Sequence, residues 1–347
     1  MANHSFVFTM IEIMNRQPLT QKIFPLVLIL LWSCGKRQEI STSTEKEQVT
    51  HEQGDYDFVI TEKALFPEGT AFDLSTHMVY VGSIYKQKII GISSEGKVTD
   101  LITKERFESL SPLGMEMDPR TNTLWVCAAV APIVKHPTGT KRQAAILAFN
   151  PTTNQRLKKY VLANNEDALL NDITMDSKGN IYATETMGGK IFTIDSVTEQ
   201  LVVFCDLKEY SFPNGIIYHH PQKCLFVATD EGIIRIELAS KEVTLIKTEN
   251  EINTSTIDGL AIYENYFLGH QSTKISRFYF NNEISKITDV EIFDSGNDFD
   301  SSTTGEIGNG YYYYIVNSQI KSGVNRKLKT IKPLDSLENV IIRRKRL

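Results

Sequence analysis

FPEGTAFDLSTHMVYVGS, residues 66–83, carries the pattern that decides the fold. Its first half alternates apolar and polar residues up to Asp73, its middle is rich in turn formers, and its second half is an apolar run with Val and Tyr. Val, Tyr and Thr favour a pleated strand, whereas Asp and Ser favour turns, so the stretch reads as two short antiparallel strands. The unit recurs as SPLGMEMD with LWVCAA, LLNDITMD with IYATET, FPNGIIYH with LFVATD, TIDGLAIY with YFLGHQ, and STTGEIGN with YYYYIVNS. Taking Glu68, Leu113, Asn171, Asn214, Asp258 and Thr304 as equivalent positions, the spacings are 45, 58, 43, 44 and 46 residues. Spacings of ~40–50 residues are those of propeller blades and are too long for short solenoids.

Each copy runs on into two further apolar segments, such as KIIGIS and VTDLIT or KIFTID and QLVVFC, joined by turn signals. Two hairpins make a blade, and no stretch of the body keeps a helical period. The expected architecture is therefore all-β, a six-bladed β-propeller of four-stranded blades over residues 57–347. Closure of the ring falls to the chain ends: FVITEKAL (58–65) and ENVIIRRKR (338–346) should pair within one blade and remove the open sheet edge.

The segment before the propeller has another character. Residues 23–32, IFPLVLILLW, form an apolar run too short to span a bilayer comfortably, preceded by Arg16 and Lys22 and followed by Ser33 and Cys34. Residues 1–33 read as a signal peptide, with Met14 as an alternative start that gives it ordinary length. Leu31-Trp32-Ser33-Cys34 resembles a bacterial lipobox, although Trp32 is bulky for that position. The resemblance implies lipid attachment at Cys34 and an exported protein, periplasmic or on the cell surface, whose only contact with membrane is that anchor; an ordinary cleaved signal or an uncleaved anchor is the alternative. Residues 34–56 are polar and too poor in large apolar groups to offset the entropy of folding, so they read as a flexible tether.

Charge and cysteine content exclude several functions. The 37 basic and 42 acidic residues give a net charge of −5, which argues against a nucleic-acid surface. The basic run Arg343–Arg346 reads as a solvated tail or a charged edge strand. Cys127, Cys205 and Cys224 lack CxxC spacing, so a zinc cage is disfavoured; they read as buried thiols, with a Cys205–Cys224 bridge as the alternative.

FPEGTAFD, LLNDITMDSKGNIYATE, FPNGIIY and IDGLAIY together resemble the superfamily of senescence marker protein, gluconolactonase and luciferin-regenerating enzyme, which is itself similar to the paraoxonases. The resemblance covers nearly the whole body. It implies that Glu68, Asn171, Asn214 and Asp258 meet on the axis and bind a divalent cation, usually calcium. The residues point the same way on their own: equivalent positions of successive blades converge at one end of the central channel, and carboxylate and amide oxygens are hard ligands suited to Ca²⁺ or Mg²⁺. Such residues also cap strand ends and make turns in many proteins.

The sequence departs from the family at Leu169, where sugar-lactone enzymes carry Arg, and at Met115 and Glu116, where paraoxonases place a catalytic His. Asp172, Glu185 and His270 are the candidates for a general base. Two readings stand. In one, the chain is a cation-dependent hydrolase of a lactone or ester. In the other, it is a non-catalytic exported module that binds a small ligand or a partner protein around a structural calcium ion. The extra residues of the second spacing fall within 128–145, between LWVC and AAILAFN, and should overhang the cation cluster, with Ile133 and Val134 as apolar cover and Lys135, His136, Lys141 and Arg142 as anion-attracting groups.

Overall fold

The computed structural model describes residues 54–162, 167–325 and 327–347. Its strands form six antiparallel blades. Successive inner strands are Pro67–Asp73, Ser111–Asp118, Leu170–Met175, Ile216–His219, Leu260–Tyr263 and Gly305–Gly308. In each of the first five blades the following strands pair in sequence order; the fifth gains a short parallel strand, Lys247–Thr248, at its outer edge. Blade six is closed by both chain ends: Tyr56–Ile60 pairs antiparallel with Val340–Arg346, from Tyr56 against Arg344 to Ile60 against Val340, and Val340–Arg346 pairs in turn with Tyr311–Ile315.

Burial follows from this stacking. The second strand of each blade is covered on both faces by neighbouring blades, so it is mostly apolar rather than alternating, as in the fully buried Cys224–Thr229. Outer strands meet solvent, as in Gln200–Asp206, where only Cys205 is buried. The core is accordingly divided among the blade interfaces. Ile89, Phe107 and Leu124 fill the gap between blades one and two, whereas Leu225, Ile234 and Ile191 fill that between blades three and four.

The aspartate that ends several inner strands has a local cause. Asp73 accepts hydrogen bonds from Ser75 N, Ser75 Oγ and Thr76 Oγ1, and Asp176 accepts from Lys178 N, Asn180 N and Asn180 Nδ2. The carboxylate closes the hairpin turn by satisfying amides that the turn leaves unpaired. Despite some burial, these hydrogen bonds hold both carboxyls below their ordinary range.

Two expectations are corrected. The run Arg343–Arg346 is neither tail nor edge but belongs to an interior strand of blade six, flanked on both sides. Arg343 joins Asp57, Asp294 and Asp298 at 2.6, 3.0 and 2.7 Å. Cys127, Cys205 and Cys224 are all buried free thiols, and the Cys205–Cys224 bridge is not formed. Among the described residues, Gly54 O accepts from Arg344 and the Asp55 side chain accepts from Arg346 N. The apolar run 23–32 and Cys34 lie outside the described residues; among those described, no helix is long and apolar enough to cross a membrane.

Candidate active site at the propeller axis

The inner strands enter the channel one residue at a time from the six equivalent positions. In five of the six repeats the next residue is glycine, and contact between blades requires it. A Cβ on Gly69 would lie 2.0 Å from Leu113 O, and one on Gly114 would lie 2.2 Å from Asp172 Oδ1 and 2.7 Å from Asn171 O. The third repeat breaks the rule with Asp172, whose side chain occupies the space that Gly114 leaves open. The residues two positions before Glu68, Asn214 and Asp258, namely Phe66, Phe212 and Thr256, all have left-handed backbone conformations, with φ of 48°, 50° and 55°. Such conformations cost about 1 kcal/mol or more for side chains of this kind and cluster where structure serves a site.

Side chains at the entrance interlock. Asn214 Nδ2 donates to Asp258 Oδ1 at 2.7 Å. Asn171 Nδ2 donates to Thr186 Oγ1 at 3.1 Å, and Thr186 in turn donates to Pro213 O at 2.8 Å. Glu68 Oε2 is buried with no partner at all. Burial first, then the charges of Asp258 and Asp172, push the Glu68 carboxyl well above its ordinary range. Burial pushes Asp258 up to about 6 against the hydrogen bond from Asn214 and the nearby charge of Lys321. An orphaned carboxylate oxygen near a second buried carboxylate is what a hard cation would satisfy, so the residues present fit a divalent ion. Among the described residues no three His, Cys, Asp or Glu side chains gather to hold a metal, so such a site relies on the amides of Asn171 and Asn214 besides its two carboxylates.

Asp172 stands between two acidic groups. It raises Glu68 on one side, and Glu116 and Glu306 on the other. It lines a cavity of ≈ 280 Å³ further along the inner strands, with Thr70, Glu116, Thr174, Thr304 and Glu306. Burial pushes its carboxyl up to about 7, opposed by hydrogen bonds from the amides of Ile216 and Ile173 and assisted by Asp258. The other two base candidates are engaged by protein. Glu185 accepts from the amides of Leu169, Met187 and Gly188, which ties the end of its strand to the adjoining turn. His270 is fully buried, with Nδ1 2.8 Å from Ser302 Oγ and Nε2 2.7 Å from Tyr312 Oη. Ser302 donates to Ile315 O, so His270 Nδ1 carries the proton and Nε2 accepts from Tyr312. Burial alone lowers the His270 pKa to about 3 and keeps the ring neutral.

Sequence reading missed Glu306 as a channel residue, although it follows the equivalent position of the sixth repeat by two. Burial and Asp172 raise its carboxyl to about 7, despite a hydrogen bond from Ile307 N. The unfolded value is ~4.3. Because the folded value is the higher one, Glu306 costs nothing below pH ~4 and destabilises the fold as pH rises through 7. Glu306→Gln should therefore stabilise cation-free protein by ~1–3 kcal/mol at pH 8 and by much less at pH 5, measured by urea unfolding. Equal effects at both pH values would contradict the assignment.

The insertion after Thr123–Ala129 lies on the entrance face, as Ala129 pairs with Ser111 at the start of its inner strand. Ala131 and Ile133 pack against the same core cluster as Ile320, Val324 and Ile331 from a second long connection, residues 316–339 of blade six, so the two roofing segments share that face. Val134 is buried. His136 Nε2 lies 2.9 Å from Ala131 O and ties the loop to itself, while Arg142 pairs with Asp167 at 2.8 Å.

No protein-family model and no curated protein matches the sequence. Solved structures do match. A gluconolactonase from Xanthomonas campestris aligns with TM-score 0.57 and 11% identity over 84% of this chain and 89% of its own. Luciferin-regenerating enzyme aligns with TM-score 0.56 and 13% identity over 85% and 96%, and the Malassezia sympodialis allergen Mala s 1 with 0.62 and 11% over 83% and 95%. At such identity the likeness is one of fold: the chain is a six-bladed β-propeller whose structural neighbours include gluconolactonase and luciferin-regenerating enzyme.

Proposed function

We propose that the chain is a divalent-cation-dependent hydrolase of a lactone or ester, working at the propeller axis. The observation that carries this reading is the juxtaposition of an unpartnered buried Glu68 oxygen with Asp172, a carboxyl raised to about 7. Glu68, Asn171, Asn214 and Asp258 would hold the ion, which when bound supplies Lewis-acid polarisation of a carbonyl. Asp172 is suited to act as general base near neutral pH, since its pKa is matched to that range. It takes a proton from water as the water oxygen bonds to the carbonyl carbon, and returns it to the departing alkoxide as the acyl C–O bond breaks. The amides of Ile216 and Ile173 orient its carboxylate through this exchange.

The alternative, a ligand-binding module around a structural ion, has in its favour that Glu185 and His270 are both committed to protein partners. Asp172→Asn separates the two. It should lower turnover of a panel of lactones and aryl esters by ~10²–10⁴-fold while leaving the calcium-induced rise in melting temperature in place. Turnover equal to wild type would remove Asp172 as the base.

A further inference from the structure

A second cavity, of ≈ 720 Å³, opens on the entrance face beside the axis. That size falls within the ~300–1,000 Å³ of small-molecule sites. Its walls come from three places in the chain. Leu113 and Ala129 belong to blade two, Leu169 to the approach to blade three, and Ile133 and Val324 to the two roofing insertions. Leu113 occupies in the second repeat the position that Glu68, Asn171, Asn214 and Asp258 hold in theirs, so the cavity reaches the ring of candidate ligands through an apolar member. Leu169 and Met187 bring it beside Asn171 as well, because Asn171 follows Leu169 by two and its amide rests on Thr186.

Among the described residues of these walls, one buried side-chain polar atom has no partner. Ser111 is only 1% exposed, lines the cavity, and its hydroxyl makes no hydrogen bond. A buried hydroxyl left unsatisfied costs about 1–3 kcal/mol, whereas a single ligand carbonyl or amide would satisfy it. Of the three charged residues at the rim, Arg142 and Asp167 pair at 2.8 Å, which leaves Lys329 as the one excess charge. A chamber lined mainly by Leu, Ile, Val, Ala and Met side chains, with few polar groups at its edge, does not suit a polyol.

We propose that this cavity binds the acyl chain of a small amphiphile, with Ser111 Oγ hydrogen-bonded to the ligand's carbonyl or amide group. The assignment rests on the proposed hydrolase only for its consequence, that the scissile carbonyl belongs to an acyl-bearing lactone or ester rather than to a polyhydroxylated one. Binding is independent of turnover and is tested without it.

The test titrates hexanamide, octanamide and decanamide, with hexane as the purely apolar comparator, into the full-length chain freed of divalent cations, with affinity read by ligand-observed NMR. Affinity should rise roughly fourfold per added methylene, the increment expected for burial in an apolar site. Ser111→Ala should weaken hexanamide binding about fivefold and leave hexane unchanged. Ile133→Asp, at the roof, should abolish the gain with chain length while keeping the calcium response that reports a folded axis. Affinity independent of chain length, or an equal effect of Ser111→Ala on hexanamide and hexane, would overturn the proposal and leave the cavity to water. Loss of hydrolysis with this binding intact would count against the hydrolase alone.

Discussion

Calcium added to cation-free protein should raise its melting temperature by roughly 5–10 °C at a hundredfold excess over its dissociation constant. The figure follows from mass action, about 2.7 kcal/mol at that excess, and from about 2–4 °C per kcal/mol in larger domains. Glu68→Ala and Asp258→Ala should lose most of the response. They should also be no less stable than wild type without the cation at neutral pH, because each removes a carboxyl that burial has raised, Asp258 to about 6. A residue that merely capped a strand would behave oppositely, lowering stability with and without calcium. Differential scanning fluorimetry of the three proteins, stripped and reloaded, reads both signs; equal shifts in all three would remove the cation from this cluster.

Arg343→Ala should destabilise the fold by ~1–3 kcal/mol, below the ~3–5 kcal/mol of a fully buried pair, because Asp57 and Asp298 are 38% and 36% exposed and screened by solvent. Arg343 is 18% exposed and meets Asp57, Asp294 and Asp298, with Asp294 only 12% exposed. It is the point at which the N-terminal strand is fastened to the C-terminal one, since Asp57 and Arg343 are also direct partners in the ladder. Its loss leaves three carboxylates without their shared cation and loosens the pairing that closes the ring. Urea unfolding of Arg343→Ala against Arg346→Ala, an exposed position on the same strand, measures this. Similar midpoints for the two variants would show that closure does not depend on the cluster.

The repeat made the architecture legible, because blade packing imposes the same two-strand pattern on every copy and the equivalent positions mark phase. Closure within one blade was legible for a related reason, that an unpaired apolar strand near each end can pair with the other, although the pairing runs over residues 56–60 and 340–344 and leaves out 61–65 of the expected 58–65. What lay beyond reach was long-range pairing of charge. Arg343–Arg346 resembles a solvated tail in a linear reading, and only the three-dimensional approach of Asp57, Asp294 and Asp298 makes it interior. The site shows the same division. The phase of Glu68, Asn171, Asn214 and Asp258 is visible in sequence, as is the substitution of Asp172 for the glycine of the other repeats. Glu306 was missed because the residues at its position in the other repeats, Thr70, Met115, Ile173, Ile216 and Leu260, are not carboxylates; the second roofing segment, 316–339, was missed because it interrupts the sixth repeat between its second and third strands and hides where the blade resumes. Glu185 and His270 looked reactive by residue type; their hydrogen bonds, to three amides and to Ser302 and Tyr312, could be known only from the fold.

The central claim is that cation and carboxylates at the axis act together on an acyl group. It is tested most directly by the initial rate of hydrolysis across a panel of acyl lactones and aryl esters, measured on wild-type protein as prepared, after chelation, and after calcium is restored. The account predicts turnover of at least one acyl-bearing substrate that is lost on chelation by ~10²-fold or more, as expected when a polarising ion is withdrawn, and regained with calcium. Turnover that survives chelation unchanged in protein confirmed free of metal, or no turnover of any member of the panel by calcium-loaded protein, would contradict it.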